Sequence, residues 1–488
     1  MTALLLTALL WHAGIPARAT LAQTPPGAAK QQPQPPSGMP PAAPPAVTPP
    51  YQPEVSDPML APIPPAPVQV RSWDEALALL RQNSTDLRTA LAQVESATGQ
   101  RRVALSGLLP NLSGSLSVQY NVLNPSVTPF LGGGIGGGTG GGVTGGTGNL
   151  ATTSPLGTGV LTASLPLFDL HAIQSLRAAN SSRRASELSL GETRRQLTAA
   201  LARALARVAS AERLAEVNRV NLRSALERLA LTQRRLELGA GTQLDVIRLQ
   251  QDSETARAAV VSGDETLRQA RDSLGLVLGL EKPVGLARDV SLEPMLQRGR
   301  EECRRLENVG ARPDLAASRA RQEAAERSVS AALAQYWPTL DAQSTTLALT
   351  VTPGFAQVPV WNIGAVLTIP FFTGGANEGL VEQARAQEET ARQDVVSRQR
   401  AASVEVQQTR RAVEVARAEH EIAIRARELA AENDRLTRRS FEVGTGTSQD
   451  LVVSAAALRQ TELNLVVREF QLSQARIEEY LAEAACDW

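Results

Sequence analysis

The chain has 488 residues, 3% of them aromatic, and 49 basic side chains against 49 acidic ones, so its formal net charge is zero. That balance excludes the clustered basic excess of a nucleic-acid binder, and so few rings exclude a set of compact cores built on large aromatics. Ala, Leu, Arg, Glu and Gln dominate, the mixture of long helices and coiled coils.

Residues 1–22 read as a secretory signal peptide. Thr2 to Trp11 form a short apolar run, Ala17-Arg18-Ala19 fits an A-x-A cleavage site, and cleavage after Ala22 fits as well. No basic residue precedes the apolar run, which leaves room for a start further upstream. No cysteine lies near the cleavage region, so no lipoprotein anchor is expected. Residues 23–70 hold more than half of the 30 prolines and read as a disordered, polyproline-rich periplasmic extension. No later stretch of 18 apolar residues occurs, so no transmembrane helix is expected.

A first repeat spans 71–285. It opens with a helix and continues into a strand at 111–123, where Leu112, Gly114, Leu116, Val118, Tyr120 and Val122 alternate with Ser and Gln. A Gly-rich loop at 131–149 holds 12 glycines, and a second alternating strand follows at 158–168. Then come a long helix at 170–238 and a return helix at 243–280. Leu201, Val208, Ala215, Leu222, Leu229 and Leu236 lie on an unbroken spacing of seven within the long helix.

The second repeat, 286–488, has the same order: a helix at 312–336, strands at 339–352 and 358–371, a long helix at 376–443 and a return helix at 448–485. Asp86 and Pro110 recur as Asp314 and Pro338 at an offset of 228, and Pro166 and Gly239 recur as Pro370 and Gly444 at 204 and 205. The Gly-rich loop carries the whole length difference, as expected where insertion is cheap. In the first strand of this repeat the apolar phase slips around Thr345-Thr346, and a bulge there is expected. Leu380 to Val443 holds 64 residues without Gly or Pro, a rod of roughly 95 Å, with Val415, Ile422, Leu429, Leu436 and Val443 in sevens.

Strands with one apolar and one small polar face suit a barrel wall with lipid outside and water inside, or a half-buried soluble sheet. Alternation alone does not choose. The helices do: rods this long cannot fold back into a compact domain and must find neighbours for their stripes, so oligomerisation is implied.

The turns after the long helices carry the most specific residues. Gly239 and Gly444 stand where a left-handed residue ends a helix. Thr242 and Thr447 precede Asp245 and Asp450 by three residues, a capping-box pattern that starts the return helix. Both aspartates are read as caps and, compatibly, as pore-gate candidates, Asp450 giving a carboxylate ring at a narrow mouth. Cys303 and Cys486 are far apart and could pair in an oxidising compartment, but no separation is available to test it. His12, His171 and His420 are isolated. With no nucleophile–base pair, Walker motif or metal cluster, neither enzyme activity nor a cofactor is expected.

The duplicated order of strand pair, long helix, glycine turn and return helix resembles the TolC-like family of outer-membrane efflux proteins. Arg235-Leu236-Glu237-Leu238-Gly239 with Asp245-Val246, and Ser440-Phe441-Glu442-Val443-Gly444-Thr445 with Asp450-Leu451, carry the likeness across roughly residues 72–485. The resemblance implies an α+β membrane protein in the Gram-negative outer membrane. It implies a homotrimer whose β-barrel, twelve strands with four from each chain, continues into a long α-helical coiled-coil barrel crossing the periplasm. It further implies a passive exit channel of a tripartite efflux or type I secretion system. The implied partners are a periplasmic adaptor, an inner-membrane transporter of RND, ABC or MFS type, and outer-membrane lipid. The tip residues Gly239, Gly241, Thr242, Gly444, Thr445, Gly446 and Thr447 would meet the adaptor, and Asp450 would sit at the constriction. Val453 stands where the family often has a second acidic residue, and Gly446 where it often has a basic one. A periplasmic coiled-coil scaffold without a pore is the alternative; it explains the helices but not the strands.

Overall fold

The computed structural model describes residues 53–120, 122–123, 153–287, 290–352 and 355–488. The signal peptide, the proline tract up to residue 52 and the Gly-rich loop lie outside them. Eight helices and eight strands are described: β1 (Val68–Val70), α1 (Trp73–Asn83), α2 (Thr85–Ser106), β2 (Asn111–Gln119), β3 (Leu156–Phe168), α3 (Leu170–Glu237), α4 (Gln243–Val277), β4 (Val284–Leu286), α5 (Leu292–Glu301), β5 (Cys303–Arg305), α6 (Pro313–Ala334), β6 (Thr339–Val351), β7 (Phe355–Thr368), α7 (Ala376–Glu442), α8 (Ser448–Ala482) and β8 (Ala484–Cys486).

Long helices dominate because their sequences offer no interior breaker. α3 has 68 residues and α7 has 67, each roughly 100 Å long. Asp169 caps α3 by accepting from the Ala172 amide at 2.9 Å. α3 packs against α2, α4 and α6, while α7 packs against α6 and α8; the repeats meet where α3 touches α6 and α8. The heptad stripes have different fates. In α3, Leu201, Val208, Ala215 and Leu222 are buried within the chain. In α7, Val415, Ile422, Leu429, Leu436 and Val443 remain 52–73% exposed. α7 instead buries small residues such as Ala402, Ala416 and Ala423 against its own chain.

At one end of the helices β2, β3, β6 and β7 form an antiparallel sheet in that order, with an open edge on β2 and on β7. One face carries rows such as Leu112–Ala163–Ser344–Ile363 and Gly114–Leu161–Thr346–Trp361. Leu112, Leu116, Val118, Leu161, Trp361, Ile363 and Leu367 on this face are exposed. Among the described residues no helix is long and apolar enough to cross a membrane. The lipid-compatible surface is this sheet face. The opposite face carries the row Ser113–Thr162–Thr345–Asn362.

The bulge expected near Thr345-Thr346 is not there. β6 runs in unbroken register with both neighbours through those threonines. The extra residue sits on β7 at Val358–Pro359, opposite Ala348, between the pairs Leu347–Val360 and Leu349–Gln357. Pro359 has no amide hydrogen to give to a ladder, so that position suits a bulge. The apolar phase slips in the sequence because the apolar residues of β6 change face: Leu340 and Ala342 lie on one side, Leu347, Leu349 and Val351 on the other.

Midway along the helices a core collects Trp73, Leu80, Leu201, Leu205, Leu274, Leu278 and Leu296 with the short strands. β1 pairs with β4, and β5 with β8. Cys303 and Cys486 face each other across the β5–β8 pair, 4.2 Å apart at Cα, and form a disulfide. Two buried arginines hold the end of α8: Arg195 donates to Leu481 O at 3.2 Å and Arg312 to Ala482 O at 3.0 Å. Arg312, only 2% exposed, also pairs with Asp314 and Glu405 at 2.9 Å each. The Arg-Pro-Asp-Leu opening of the second repeat is thus a helix start fused to a C-terminal clamp.

The expectation of disorder across 23–70 fails for its last part. From residue 53 the chain is an ordered strap along α3 and α4. Arg257 pairs with Asp57 at 2.9 Å, Arg219 donates to Ala61 O at 3.1 Å, and Arg271 donates to Pro64 O at 2.9 Å. Val55 and Leu60 pack on Leu222, Ala225, Leu226, Ala256 and Val260. Proline-rich composition supplies no core of its own, but α3 and α4 supply one in Leu222, Leu226 and Val260, with Arg219, Arg257 and Arg271 fastening the strap to it.

Candidate functional site: the helical tip

At the far end of the shaft each long helix ends in a Schellman turn. Gly239 adopts φ +73° and Gly444 φ +87°. The Gly239 amide donates to Leu236 O at 2.9 Å and the Ala240 amide to Arg235 O at 2.8 Å; Gly444 and Thr445 repeat the pattern on Phe441 and Ser440 at 3.1 and 3.0 Å. A Cβ at Gly239 or Gly444 would meet nothing within 4 Å, so these two are needed for their left-handed backbone alone. Gly241 and Gly446 are needed for space. A Cβ there would stand 3.2 Å from the Leu236 amide nitrogen and 3.0 Å from that of Phe441.

Both return helices start with full capping boxes. The Asp245 amide donates to Thr242 Oγ1 at 3.2 Å, and Thr242 Oγ1 donates to Asp245 Oδ2 at 2.7 Å. Thr447 and Asp450 repeat this at 3.1 and 2.7 Å. The capping role read from the spacing is therefore present at both aspartates. Beyond it they differ. Asp245 also accepts a hydrogen bond from the Ser448 hydroxyl at the start of α8. That bond, ahead of those from Thr242, holds its carboxyl below the usual value. Asp450 is exposed, and its carboxyl is lowered by the Thr447 hydroxyl and amide.

Three further residues, Arg235, Phe441 and Arg248, extend the junction between the repeats. Arg235 donates to Phe441 O at 2.9 Å and stacks over the Phe441 ring, 4.4 Å from its centre. Arg248 donates to Ser448 Oγ at 3.3 Å. Together with Thr232, Asp245 and the glycine turns they wall a cleft of about 370 Å³. Two helical turns up α4, the buried Asp252 pairs with Arg228 of α3 at 3.0 Å and Arg459 of α8 at 3.3 Å. The tip is thus closed on itself by side chains that cross from one repeat to the other. Among the described residues no group of three or more His, Cys, Asp or Glu is placed to hold a metal.

The sequence-derived tip residues Gly239, Gly241, Thr242, Asp245, Gly444, Thr445, Gly446, Thr447 and Asp450 all fall at this one end. Ser448, Arg235, Arg248, Phe441, Asp252 and Arg459 were missed. A signal existed: each breaks the internal repeat at the offset of 205, where Ser448 aligns with Gln243, Phe441 with Leu236 and Arg248 with Val453.

The profile of the outer membrane efflux protein family matches residues 76–280 and 309–483. Among curated proteins, the chain is 24% identical over 322 residues to the fusaric acid resistance protein FusA of Burkholderia cepacia, covering 63% of this chain and 56% of FusA. It is also 24% identical over 314 residues to the cation efflux system protein CusC of Escherichia coli K12, covering 63% of each. The match thus spans less than two thirds of those relatives. Among solved structures, the outer membrane protein VceC of Vibrio cholerae superposes with a TM-score of 0.66 at 19% identity, covering 84% of this chain and 96% of VceC. The CmeC outer membrane channel of Campylobacter jejuni superposes with a TM-score of 0.68 at 14% identity, covering 88% and 94%. With both repeats matched over most of the chain, this is an outer-membrane protein that belongs to the outer membrane efflux protein family.

Proposed function

We propose that the protein is the outer-membrane exit channel of a tripartite efflux or type I secretion system, working as a homotrimer that conducts cargo passively from periplasm to exterior. The observation that carries this reading is a protomer incomplete at both ends. Its sheet has two open edges and an exposed apolar face, and its α7 rod leaves a heptad stripe uncovered. Three copies joined edge to edge give a closed barrel, which removes the unpaired backbone groups that lipid does not tolerate. The same operation lays each α7 stripe against a neighbouring copy. A coiled-coil scaffold without a pore leaves the apolar sheet face without a solvent that suits it.

The tube does no chemistry. Energy comes from an inner-membrane transporter of RND, ABC or MFS type, and a periplasmic adaptor docks on the glycine turns. Adaptor binding favours an open arrangement in which the ties Ser448–Asp245, Arg235–Phe441 and Arg459–Asp252 part. Asp450 lines the mouth as a carboxylate ring. The relatives' names point to fusaric acid in one case and cations in another, so cargo is set by the partner pump. Detergent-solubilised protein should run as heat-modifiable trimers and insert pores in planar bilayers; a monomer that leaves bilayers silent would refute the reading.

A further inference from the structure

The helices keep the lateral order of the strands they adjoin. Across the sheet that order is β2, β3, β6, β7, and in the upper shaft α2 packs on α3, α3 on α6 and α6 on α7. In the lower shaft α4 takes the place of α2, and α8 that of α6. α7 is therefore one margin of the protomer, and α4 is the opposite margin of its lower half. Each margin has a face turned from its own chain. α7 buries Ala416 and Ala423 and leaves Leu429 and Arg411 exposed; α4 buries Ala256 and Val260 and leaves Ala258 and Asp272 exposed.

The two free faces match in height and in charge. α7 descends to Val443 and α4 climbs from Thr242, and the bonds Ser448–Asp245 and Arg235–Phe441 hold the two turns at one level. Leu429 lies 14 residues above Val443, and Ala258 lies 16 above Thr242. Arg411 lies 32 above Val443, and Asp272 lies 30 above Thr242. At about 1.5 Å of rise per residue, each pair is level to within about 3 Å. Among the described residues neither Arg411 nor Asp272 forms an ion pair in its own chain, and both are exposed.

We propose that a second copy of this chain covers the free face of α7 with its α4, so that Leu429 sits over the next copy's Ala258 and Arg411 pairs with the next copy's Asp272. The inference rests on the trimeric reading above and adds the face, the height and the charge that join the copies. A large side chain over a small one lets two helices close to coiled-coil distance. An oppositely charged pair at the rim fixes which helix is met and at what level. The contact is heterologous: α7 meets α4, not another α7, and repeats until the ring closes. A two-fold pairing would instead set Leu429 on Leu429 and Arg411 against Arg411, and would leave the β2 edge of the sheet unpaired.

The test is oxidative cross-linking of the full chain in outer-membrane fractions, where Cys303 and Cys486 are already joined to each other. The exchanged positions are exposed, so the protomer keeps its fold. Boiled without reductant, the double variant Ala258→Cys with Leu429→Cys should run as covalent dimers and trimers that dithiothreitol returns to monomers. Either substitution alone should give no ladder. Nor should Leu429→Cys with Leu276→Cys, whose second site is 18 residues farther up α4. A ladder from Leu429→Cys alone would set α7 on α7 and overturn the proposal. So would a double variant without a ladder whose unboiled sample still runs as trimers. Unboiled wild-type protein running as a monomer would instead defeat the trimeric reading. Charge reversal is the second measure: Arg411→Glu and Asp272→Arg should each lower the thermal midpoint of trimer dissociation by several degrees, and together restore it. Losses that add would overturn the pair.

Discussion

Ser448, the first residue of α8, donates a hydrogen bond to Asp245, the third residue of α4, and so joins the starts of the two return helices. Among the described residues Asp450, the repeat counterpart of Asp245, has no such crossing bond; its carboxylate is held by Thr447. Two aspartates with the same local role therefore have different long-range ones. On the proposed channel reading, the pair Asp245–Ser448 is the tie that holds the tip closed, and the exposed Asp450 is the carboxylate that meets cations there.

Ser448→Ala should raise the resting conductance of the channel without changing its block by multivalent cations. Asp450→Ala should do the converse, weakening cation block with little effect on assembly. Single-channel recording with and without a trivalent cation on the tip side separates them. Identical behaviour of the two variants would undo the division of roles.

Asp252 offers a stronger perturbation. Its side chain is 3% exposed and bonds two arginines, so Asp252→Ala strands both cations in a desolvated setting. Loss of about 3 kcal/mol is expected. It should appear as a lower thermal midpoint for dissociation of detergent-resistant trimers, together with a higher resting leak.

The glycines separate by mechanism. Gly444→Ala should cost about 1 kcal/mol, the strain of a left-handed alanine in otherwise open space. Gly446→Ile, branched at Cβ, must displace the turn itself, because the backbone of Ser440 and Phe441 stands within 3.0–3.2 Å of that position. Trimers should assemble in both, with drug export lost only in the second. Minimum inhibitory concentrations in a channel-deleted strain, beside trimer yield, give the comparison.

Acid should open the tip before it unfolds the shaft. The Ser448 bond depresses the Asp245 carboxyl below its ordinary value of 3.8. A depressed folded value gives stabilisation that is present above the unfolded one and lost as pH falls through the folded one. Glu483 acts with the same sign: burial raises it, but bonds from Arg305 and Arg410 outweigh that. Resting conductance should stay flat down to about pH 5 and rise below about pH 4, and Asp245→Asn should remove most of the rise.

Cys303→Ser should lower the thermal midpoint by the equivalent of about 2–4 kcal/mol, since the disulfide closes a loop across 183 residues. With both sulfurs buried, wild-type trimers should resist dithiothreitol until unfolded, which a thiol-alkylation gel shift reads directly.

What was legible in the sequence was whatever repeats or caps locally. The spacing of Thr242 with Asp245 and of Thr447 with Asp450 placed both return helices to the residue at their starts, and the glycines placed the turns. What was hidden depends on distant partners. The order of residues 53–66 rests on Arg219, Arg257 and Arg271, which no composition of that segment reveals. The phase slip at Thr345-Thr346 looked like a local irregularity, because a strand whose apolar residues change face cannot be told from one with an inserted residue until its neighbours are known. The Cys303–Cys486 bond needed the β5–β8 pairing, formed by segments too short to carry a pattern.

The arginine-fastened strap makes the duplicated hairpins mechanically unequal. Sliding of α3 past α4 has to drag Asp57, Ala61 and Pro64 with it. Among the described residues no matching strap precedes the second repeat, whose upstream segment forms α5 and β5. A lever splinted on one arm bends at the other, so in the opening proposed above the displacement falls to α7 and α8, with α3 and α4 as the post they swing from.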